Sequence, residues 1–221
     1  MIERGMPADK AVWMHNGFES EHLTRQPKEA NEWRSRLLSG DEQYLAVYSG
    51  ALFGFKGIDI IIECAKKMPG IKFVLTGGTE KQLSHYREAA KGIKNIIFLG
   101  WVTPRGSLVS LFQAADVLLH PHLLRHGDYT NPVKFFQYLA SGTHIAATDL
   151  PFLEEFINKD LALAICKPDS VDEFAGCISK ALSKYPRKPE GYPENINLSR
   201  QFTWEKRMER ILERVGLGDG A

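Results

Sequence analysis

The sequence has little of several features that assign a protein to a function class. It contains three cysteines, Cys64, Cys166 and Cys177, with no CxxC pair, so neither a disulfide framework nor a cysteine zinc site is indicated. Lysine and arginine number 28 against 27 acidic residues, a formal net charge of +1. This balance excludes a strong field that would attract nucleic acid or an anionic membrane. Any anion site must therefore be local.

Long hydrophobic segments and hydrolase motifs are also missing. The apolar runs have the length of strands, and the first residues lead into polar sequence without a signal peptide. We therefore expect no transmembrane segment, a reducing cytoplasmic location, and cysteines buried as small apolar side chains. No G-x-S-x-G elbow and no Cys/His pair is present, so nucleophilic hydrolysis is not supported.

The composition that is present suits one large globular domain. The chain has 221 residues, of which 43% are hydrophobic and 25% charged. Strand-length apolar runs occur at Tyr44–Tyr48, Lys72–Thr76, Asn95–Leu99, Asp116–His120, Thr143–Ala147 and Leu161–Ile165. Helical patterns separate them at Ile58–Lys67, Glu80–Ala90, Ser107–Ala114, Pro132–Ala140, Pro151–Asn158 and Val171–Ser183. This alternation predicts an α/β fold with a doubly wound, Rossmann-like parallel sheet.

Three regions are predicted along the chain. Residues 1–40 contain a candidate strand at Ala11–Met14 and a charged helix at Pro27–Leu38, residues 41–185 form the Rossmann-like domain, and residues 186–221 form a C-terminal region. In this last part, Lys184–Leu198 is rich in proline, lysine and asparagine and predicts an extended connection. Trp204–Val215 predicts a final amphipathic helix.

The stretch Asp128–Gly142 is the most informative part of the sequence. Asn131 suits an N-cap, Pro132 the first helical position and Gly142 a C-terminal stop. Polar residues fall on a single stripe of an otherwise apolar helix, at Asn131, Lys134, Gln137 and Ser141. The start of such a helix is suited to an anion such as phosphate. The alternative is a core helix with polar residues at its rim.

A second candidate element follows the first predicted strand. Ser49–Gly57 contains three glycines and Lys56 before a helix, and ligands of open parallel sheets bind beyond the carboxyl ends of the strands. The loop is neither a Walker loop nor a G-x-G-x-x-G fingerprint, so a glycine-rich turn with an exposed lysine stays an alternative. The group Pro121, His122, His126 and Asp128 matches no standard metal-ligand spacing, and we expect no metal there.

Several motifs follow one another in a specific order. They are Met14-His15-Asn16-Gly17-Phe18, Ser49-Gly50 with Lys56-Gly57, Ile96–Gly100, Ala115–Pro121, Asn131–Gly142 and Phe202-Thr203-Trp204. Individually they are weak, but together they resemble the C-terminal, nucleotide-sugar-binding domain of retaining glycosyltransferases with the GT-B fold, glycosyltransferase family 4. The resemblance covers nearly the whole chain.

The resemblance implies a set of site residues. Lys56 and Tyr129 would take catalytic positions, and the donor-binding set would be Gly50, Ala51, Lys56, Trp101, Val102, Thr130, Asn131, Val133, Lys134 and Gln137. Lys56 would hold the donor diphosphate, and amides near Asn131 would face the phosphates. Gln137 would lie at the ribose. Trp101 and Val102 would lie near the base.

Three positions depart from the family pattern. Ala51 replaces a frequent arginine, Tyr129 replaces the first glutamate of a paired motif, and Gln137 replaces the glutamate that bonds the ribose hydroxyls. An amide is a weaker partner for hydroxyls than a carboxylate. A catalytically degenerate nucleotide-sugar-binding or assembly module is therefore an alternative. A NAD-dependent oxidoreductase is disfavoured, because the dinucleotide fingerprint is absent.

The resemblance also implies partners. A nucleoside-diphosphate sugar would be the substrate, with no cofactor and no tightly bound metal, and a glycan or lipid-linked glycan would be the acceptor. The acceptor domain of such enzymes precedes this one, so we expect it in the same longer chain or in a partner chain. Through it the protein would attach peripherally to the inner membrane face and act in polysaccharide synthesis.

Overall fold

The computed structural model describes residues 7, 11, 13–124, 133–157 and 159–217. The strands are β1 (Tyr44–Ser49), β2 (Ile71–Thr76), β3 (Ile96–Gly100), β4 (Val117–His120), β5 (Ile145–Thr148) and β6 (Leu163–Cys166). The helices are α1 (Pro27–Leu37), α2 (Ile58–Lys67), α3 (Glu80–Ala89), α4 (Arg105–Ala114), α5 (Val133–Ser141), α6 (Glu154–Ile157), α7 (Val171–Lys184), α8 (Pro193–Ser199) and α9 (Trp204–Arg214).

The six strands form one parallel sheet in the order β3-β2-β1-β4-β5-β6. Its strands are almost entirely buried, because each face is covered by helices. One apolar core contains side chains of α2, α3 and α7, and the other contains side chains of α1, α4, α5 and α6. This architecture confirms the predicted doubly wound, Rossmann-like α/β fold.

The predicted elements of the sheet domain agree with the observed ones within about two residues, the ordinary uncertainty of element ends. The predicted end of α5 is confirmed: Gly142 has a left-handed φ of +71°, and its amide donates a hydrogen bond to the Leu139 carbonyl at 2.9 Å. The predicted helix at Pro151–Asn158 is a 3₁₀ turn, Pro151–Leu153, followed by α6. Asn158 lies outside the described residues, as do Asn131 and Pro132.

Two predictions for the flanking regions are wrong. Trp13 and Met14 form no strand. The connection predicted as extended begins at the last residue of α7 and contains α8, whose first position is Pro193. The Asn195 side chain stabilises α8 against the sheet domain, because its Oδ1 accepts a hydrogen bond from the Ala162 amide at 2.9 Å. Tertiary contacts therefore outweigh the loop-like composition.

The two flanking regions meet each other on the sheet domain. The Phe18 amide donates to the Phe202 carbonyl, and the Trp204 amide donates to the Phe18 carbonyl, both at 3.0 Å. Phe18 is fully buried, and it forms an isolated parallel bridge with Thr203. The chain therefore closes on itself beside α5, with two of the sequence motifs in direct contact.

Candidate functional site at the sheet switch point

The strand order reverses between β1 and β4, which lie side by side in the sheet. Their connections run to opposite faces, since β1 leads to α2 and β4 leads towards α5. A crevice at the carboxyl ends of two such strands is the usual ligand site of a doubly wound sheet. The predicted lysine loop and the predicted phosphate helix follow these two strands.

The loop after β1 packs directly on the segment after β4. The Leu123 amide donates to the Phe55 carbonyl at 3.0 Å. Gly57 has a left-handed φ of +74°, and a Cβ at this position would lie 1.9 Å from the Pro121 carbonyl oxygen. Only glycine fits such a contact. Gly57 therefore fixes Lys56, its neighbour, beside the end of β4.

Lys56 is partly buried at the end of this loop. Burial lowers the pKa of its ammonium group from the ordinary value, because a charge is less stable away from water. Its Nζ lies 5.2 Å from the centre of the Phe55 ring. Among the described acidic residues none forms an ion pair with Lys56. The ammonium group is thus available for an anionic ligand.

His120 and His122 form a buried pair next to Lys56. Their Nδ1 atoms are 3.2 Å apart. Burial and the nearby Lys56 charge lower the pKa of His120 to about 3. Burial, His120 and Lys56 hold the pKa of His122 well below its usual range. Both imidazoles are therefore neutral near neutral pH, and Lys56 supplies the positive charge at this place.

The other residues of the β1 loop lie at the same edge. The Gly50 amide donates to the Thr76 carbonyl at 3.0 Å, which fixes the loop start beside β2. Ala51 is exposed, and its carbonyl accepts a hydrogen bond from the Tyr48 hydroxyl at 2.9 Å. The structure therefore brings Gly50, Ala51 and Lys56 together at the carboxyl edge.

Helix α5 presents its polar residues towards α4 and the N-terminal segment. The Lys134 ammonium lies 5.7 Å from the centre of the Phe112 ring on α4, and Val133 begins the helix, half-buried. Gln137 is 6% exposed, and its Nε2 donates to Glu19 Oε2 at 3.4 Å. The predicted residues Tyr129, Thr130 and Asn131 lie outside the described residues.

Trp101 and Val102 lie in a separate part of the same edge. They line a cleft of about 690 Å³ together with residues of α1 and α4, and neither the Lys56 loop nor the described part of α5 contributes to it. Trp101 is 78% exposed. The structure thus places the described residues of the predicted donor-binding set in three parts. Gly50, Ala51 and Lys56 lie in the loop after β1, and Trp101 and Val102 line this cleft. Val133, Lys134 and Gln137 lie on α5.

Sequence reasoning missed two features of the site. The neutral pairing of His120 with His122 was not predicted, although the His-Pro-His spacing at a strand end was visible. The contact between Glu19 and Gln137 spans 118 positions, and no local pattern indicates it. The described residues contain no group of three or more His, Cys, Asp or Glu side chains placed to hold a metal ion. Cys64 and Cys177 are buried, as expected, and Cys166 is half-buried.

Comparison with known proteins decides the family. Residues 29–197 match the model of the family "Glycosyl transferases group 1". The chain belongs to the glycosyl transferases group 1 family. The resemblance stated from the motifs is thereby confirmed at the level of the family.

Relatives of this family cover most of the chain, whereas the chain covers only part of them. It is 26% identical over 207 residues to the processive diacylglycerol alpha-glucosyltransferase of Acholeplasma laidlawii, covering 91% of this chain and 58% of that protein. It is 30% identical over 128 residues to the alpha-galactosylglucosyldiacylglycerol synthase of Streptococcus pneumoniae, covering 55% of this chain and 34% of that protein.

A solved structure agrees with the family fold. Anabaena HepE in complex with UDP-glucose superposes with a TM-score of 0.76 at 17% identity, over 97% of this chain and 60% of that chain. This likeness supports the Rossmann-like fold of the family, and the chain spans little more than half the length of that protein. Of the helices in the described ranges, none is both long and apolar enough to cross a bilayer.

One family motif has a clear structural role. Asp116 Oδ2 accepts a hydrogen bond from the Leu45 amide and another from Arg34 Nη1, both at 2.7 Å. The carboxylate thereby joins the start of β4 to the start of β1 and to α1. These two hydrogen bonds explain by stability alone why the Ala115-Asp116 pair stands before an apolar strand.

Proposed function

We propose that the chain is the donor-binding half of a retaining glycosyltransferase, which transfers a sugar from a nucleoside-diphosphate sugar to an acceptor in glycan or polysaccharide synthesis. The observation that carries this proposal is the position of Lys56 at the switch point, beside the strand that leads towards α5. Family membership and the UDP-glucose bound by HepE support a nucleotide sugar as ligand.

The chemistry requires stabilisation of a leaving diphosphate. When the bond between the anomeric carbon and the phosphate oxygen breaks, its electron pair stays on the diphosphate. The acceptor hydroxyl bonds through its oxygen to the same face of the carbon and gives its proton to the leaving phosphate oxygen. The Lys56 ammonium and the positive end of α5 are suited to this developing charge. The neutral histidines add no competing positive charge. No tightly held metal is needed in this arrangement.

The acceptor site belongs to the part of the enzyme that this chain does not span. The two relatives described above carry diacylglycerol in their names, so a lipid-linked glycan or a glycolipid is a suitable acceptor class. An N-terminal domain, in a longer chain or a partner, would bind it at the cytoplasmic membrane face. Residues 1–40 and α9 would then connect the two domains.

Calorimetry with UDP and GDP tests this proposal. The 221-residue chain should bind at least one of them, and Lys56→Ala should weaken binding about tenfold or more, because a charge-assisted hydrogen bond contributes roughly 1.5–3 kcal/mol. Lys91→Ala is the matched control, since Lys91 pairs with Glu88 on the exposed face of α3. Absence of binding at millimolar concentration would reject the proposal.

A degenerate module is the second candidate, because Ala51 and Gln137 depart from the family pattern. The double variant Ala51→Arg, Gln137→Glu distinguishes the two. In a decayed site, the restored charges should raise nucleotide affinity sharply. In a working site adapted to these residues, affinity should stay the same or fall.

A further inference from the structure

Two of the three cysteines meet at one edge of the sheet. Cys166 is the last residue of β6, the outermost strand, and Cys177 lies on α7. Their Sγ atoms lie 3.7 and 4.0 Å from the same acceptor, the Ala147 carbonyl oxygen, and the two thiols are hydrogen-bonded to each other. The sulfur atoms are therefore direct neighbours, although the sequence shows no CxxC pair.

The two thiols differ in their access to solvent. Cys166 is half-buried, whereas Cys177 is 4% exposed and packs in the apolar core with side chains of α2. A small dissolved molecule therefore reaches the pair from the side of Cys166. Cys64, the third cysteine, is fully buried, and its thiol donates to the Val171 carbonyl at 3.7 Å. The contact thus joins one reachable thiol to one protected thiol and leaves Cys64 outside it.

The hydrogen bond between the thiols favours ionisation of the pair. It lowers the pKa of the Cys177 thiol, because an S–H group beside a thiolate stabilises the negative charge. The same bond raises the pKa of the Cys166 thiol, which keeps the remaining proton. This proton can cross the hydrogen bond, so that the reachable Cys166 sulfur carries the charge when it meets an oxidant. The thiolate is the form of cysteine that reacts in this way.

The segment between the two cysteines contains a constrained turn. Asp169 has a left-handed φ of +63°, which is uncommon for a residue with a side chain. Its Oδ1 accepts a hydrogen bond from the Leu124 amide, which follows β4, at 3.2 Å. A covalent bond between Cys166 and Cys177 would close a loop around this turn. Such a loop restricts the unfolded chain and thereby favours the folded one.

We propose that Cys166 and Cys177 are a redox-active dithiol, which a hydroperoxide converts into a reversible disulfide. The Cys166 sulfur attacks one peroxide oxygen and becomes a sulfenic acid. The O–O bond breaks, and the leaving oxygen takes up one of the two thiol protons and departs as water or an alcohol. The Cys177 sulfur then attacks the sulfenic sulfur, the S–S bond forms, and hydroxide leaves with the other thiol proton as water.

The electrons of this reaction balance. Each sulfur gives up one electron, and the two peroxide oxygens together take up two. A small thiol such as dithiothreitol reverses the change by exchange with the disulfide. A transient bond of this kind is also compatible with the reducing location expected from the sequence, where disulfides of proteins are typically catalytic or redox-sensing.

The test treats the folded 221-residue chain with hydrogen peroxide, blocks the remaining thiols with iodoacetamide in urea, and maps the products by mass spectrometry. The number of free thiols should fall from three to one, with Cys64 still free, and dithiothreitol should restore all three. A protease that cuts after glutamate separates the two cysteines at Glu173. The fragments that carry Cys166 and Cys177 should then be found joined.

Three alanine variants assign the bond. Cys166→Ala and Cys177→Ala should each form no disulfide, whereas Cys64→Ala, the matched control, should form it as the wild type does. If one of the first two variants does not fold, the other gives the same information. A disulfide that includes Cys64, a bond between two chains, or a sulfinic acid at Cys166 beside a free Cys177 thiol would each overturn the inference.

Urea denaturation tests whether the bond fits the folded structure. The peroxide-treated chain should unfold at a higher urea concentration than the same sample after reduction by dithiothreitol. Oxidised methionines affect both samples equally, so the difference belongs to the disulfide. Cys166→Ala, treated in the same way, should show no difference. A lower midpoint for the oxidised chain would mean that Cys166 and Cys177 must leave their native positions to bond, and it would also overturn the inference.

Discussion

The hydroxyl of Tyr138, on α5, accepts a hydrogen bond from the backbone amide of Ser49, the last residue of β1, at 2.8 Å. Tyr138 is 1% exposed, and the pKa of its hydroxyl is raised by burial, so the group stays neutral. The bond ties the helix that follows β4 to the strand end that carries the Lys56 loop. The two halves of the proposed phosphate site are therefore held together by the core.

We expect Tyr138→Phe to destabilise the chain by about 1–3 kcal/mol, because the buried Ser49 amide loses its acceptor. Nucleoside-diphosphate affinity should fall as well, since the Lys56 loop would no longer be fixed to α5. Urea denaturation measures the first effect and calorimetry the second. Tyr44→Phe is the control: Tyr44 is 40% exposed, and its hydroxyl should matter by less than about 0.5 kcal/mol.

The parts of the site that were predictable from the sequence are those with a local signature. The fold followed from strand and helix periods, and the end of α5 followed from Gly142. Contacts between distant segments left no such signature. The Glu19–Gln137 contact and the helix that Asn195 fixes both depend on side chains brought together by folding. The sequence neighbourhoods of Glu19 and Asn195 resemble ordinary loops.

The role of Gly57 was predictable only in part. The sequence shows a glycine-rich loop with a lysine, which predicts either a ligand-binding loop or a simple turn with an exposed lysine. The close approach of Gly57 to the Pro121 carbonyl explains the glycine by packing alone. This packing also brings Lys56 to the switch point, so the packing role of Gly57 and the proposed ligand-binding role of Lys56 belong to the same loop.

Nucleoside-diphosphate binding should weaken with rising pH before lysines in general lose their charge. Burial lowers the pKa of Lys56 from 10.5, so the ammonium group is lost as pH rises through that lowered value. Stability should change in the opposite direction. In this range the unfolded chain holds more protons than the folded chain, and the unfavourable burial of a charge is relieved as pH rises.

Calorimetry and urea denaturation across alkaline pH measure the two trends. Lys56→Arg provides the comparison, because a guanidinium group stays protonated throughout the range. Its nucleotide affinity should be nearly independent of pH. A wild-type affinity that stays constant up to the ordinary lysine pKa would contradict a role for the Lys56 charge.

Asp116 should be important for stability and unimportant for ligand binding. Asp116→Ala removes the acceptor of both the Leu45 amide and Arg34, and the expected cost is about 3 kcal/mol or more, as for other buried pairs that lose one partner. Asp172→Ala breaks the exposed pair with Lys67 and should cost less than about 1 kcal/mol. Equal losses in the two variants would contradict the structural role given to the Ala-Asp motif.

Gly17→Ala tests the contact between the N-terminal segment and α9, and Gly176→Ala in α7 is the comparison. A Cβ at Gly17 would lie 2.6 Å from ring atoms of Trp204, so Gly17→Ala should separate the two segments and destabilise the chain by about 1–3 kcal/mol. Gly176 lies inside α7, and a Cβ there would have no atom within 4 Å. Gly176→Ala should therefore stabilise the chain by about 0.5–1 kcal/mol. Urea denaturation gives both values, and a Gly17→Ala variant as stable as the wild type would mean that the contact between residue 17 and Trp204 is not maintained in solution.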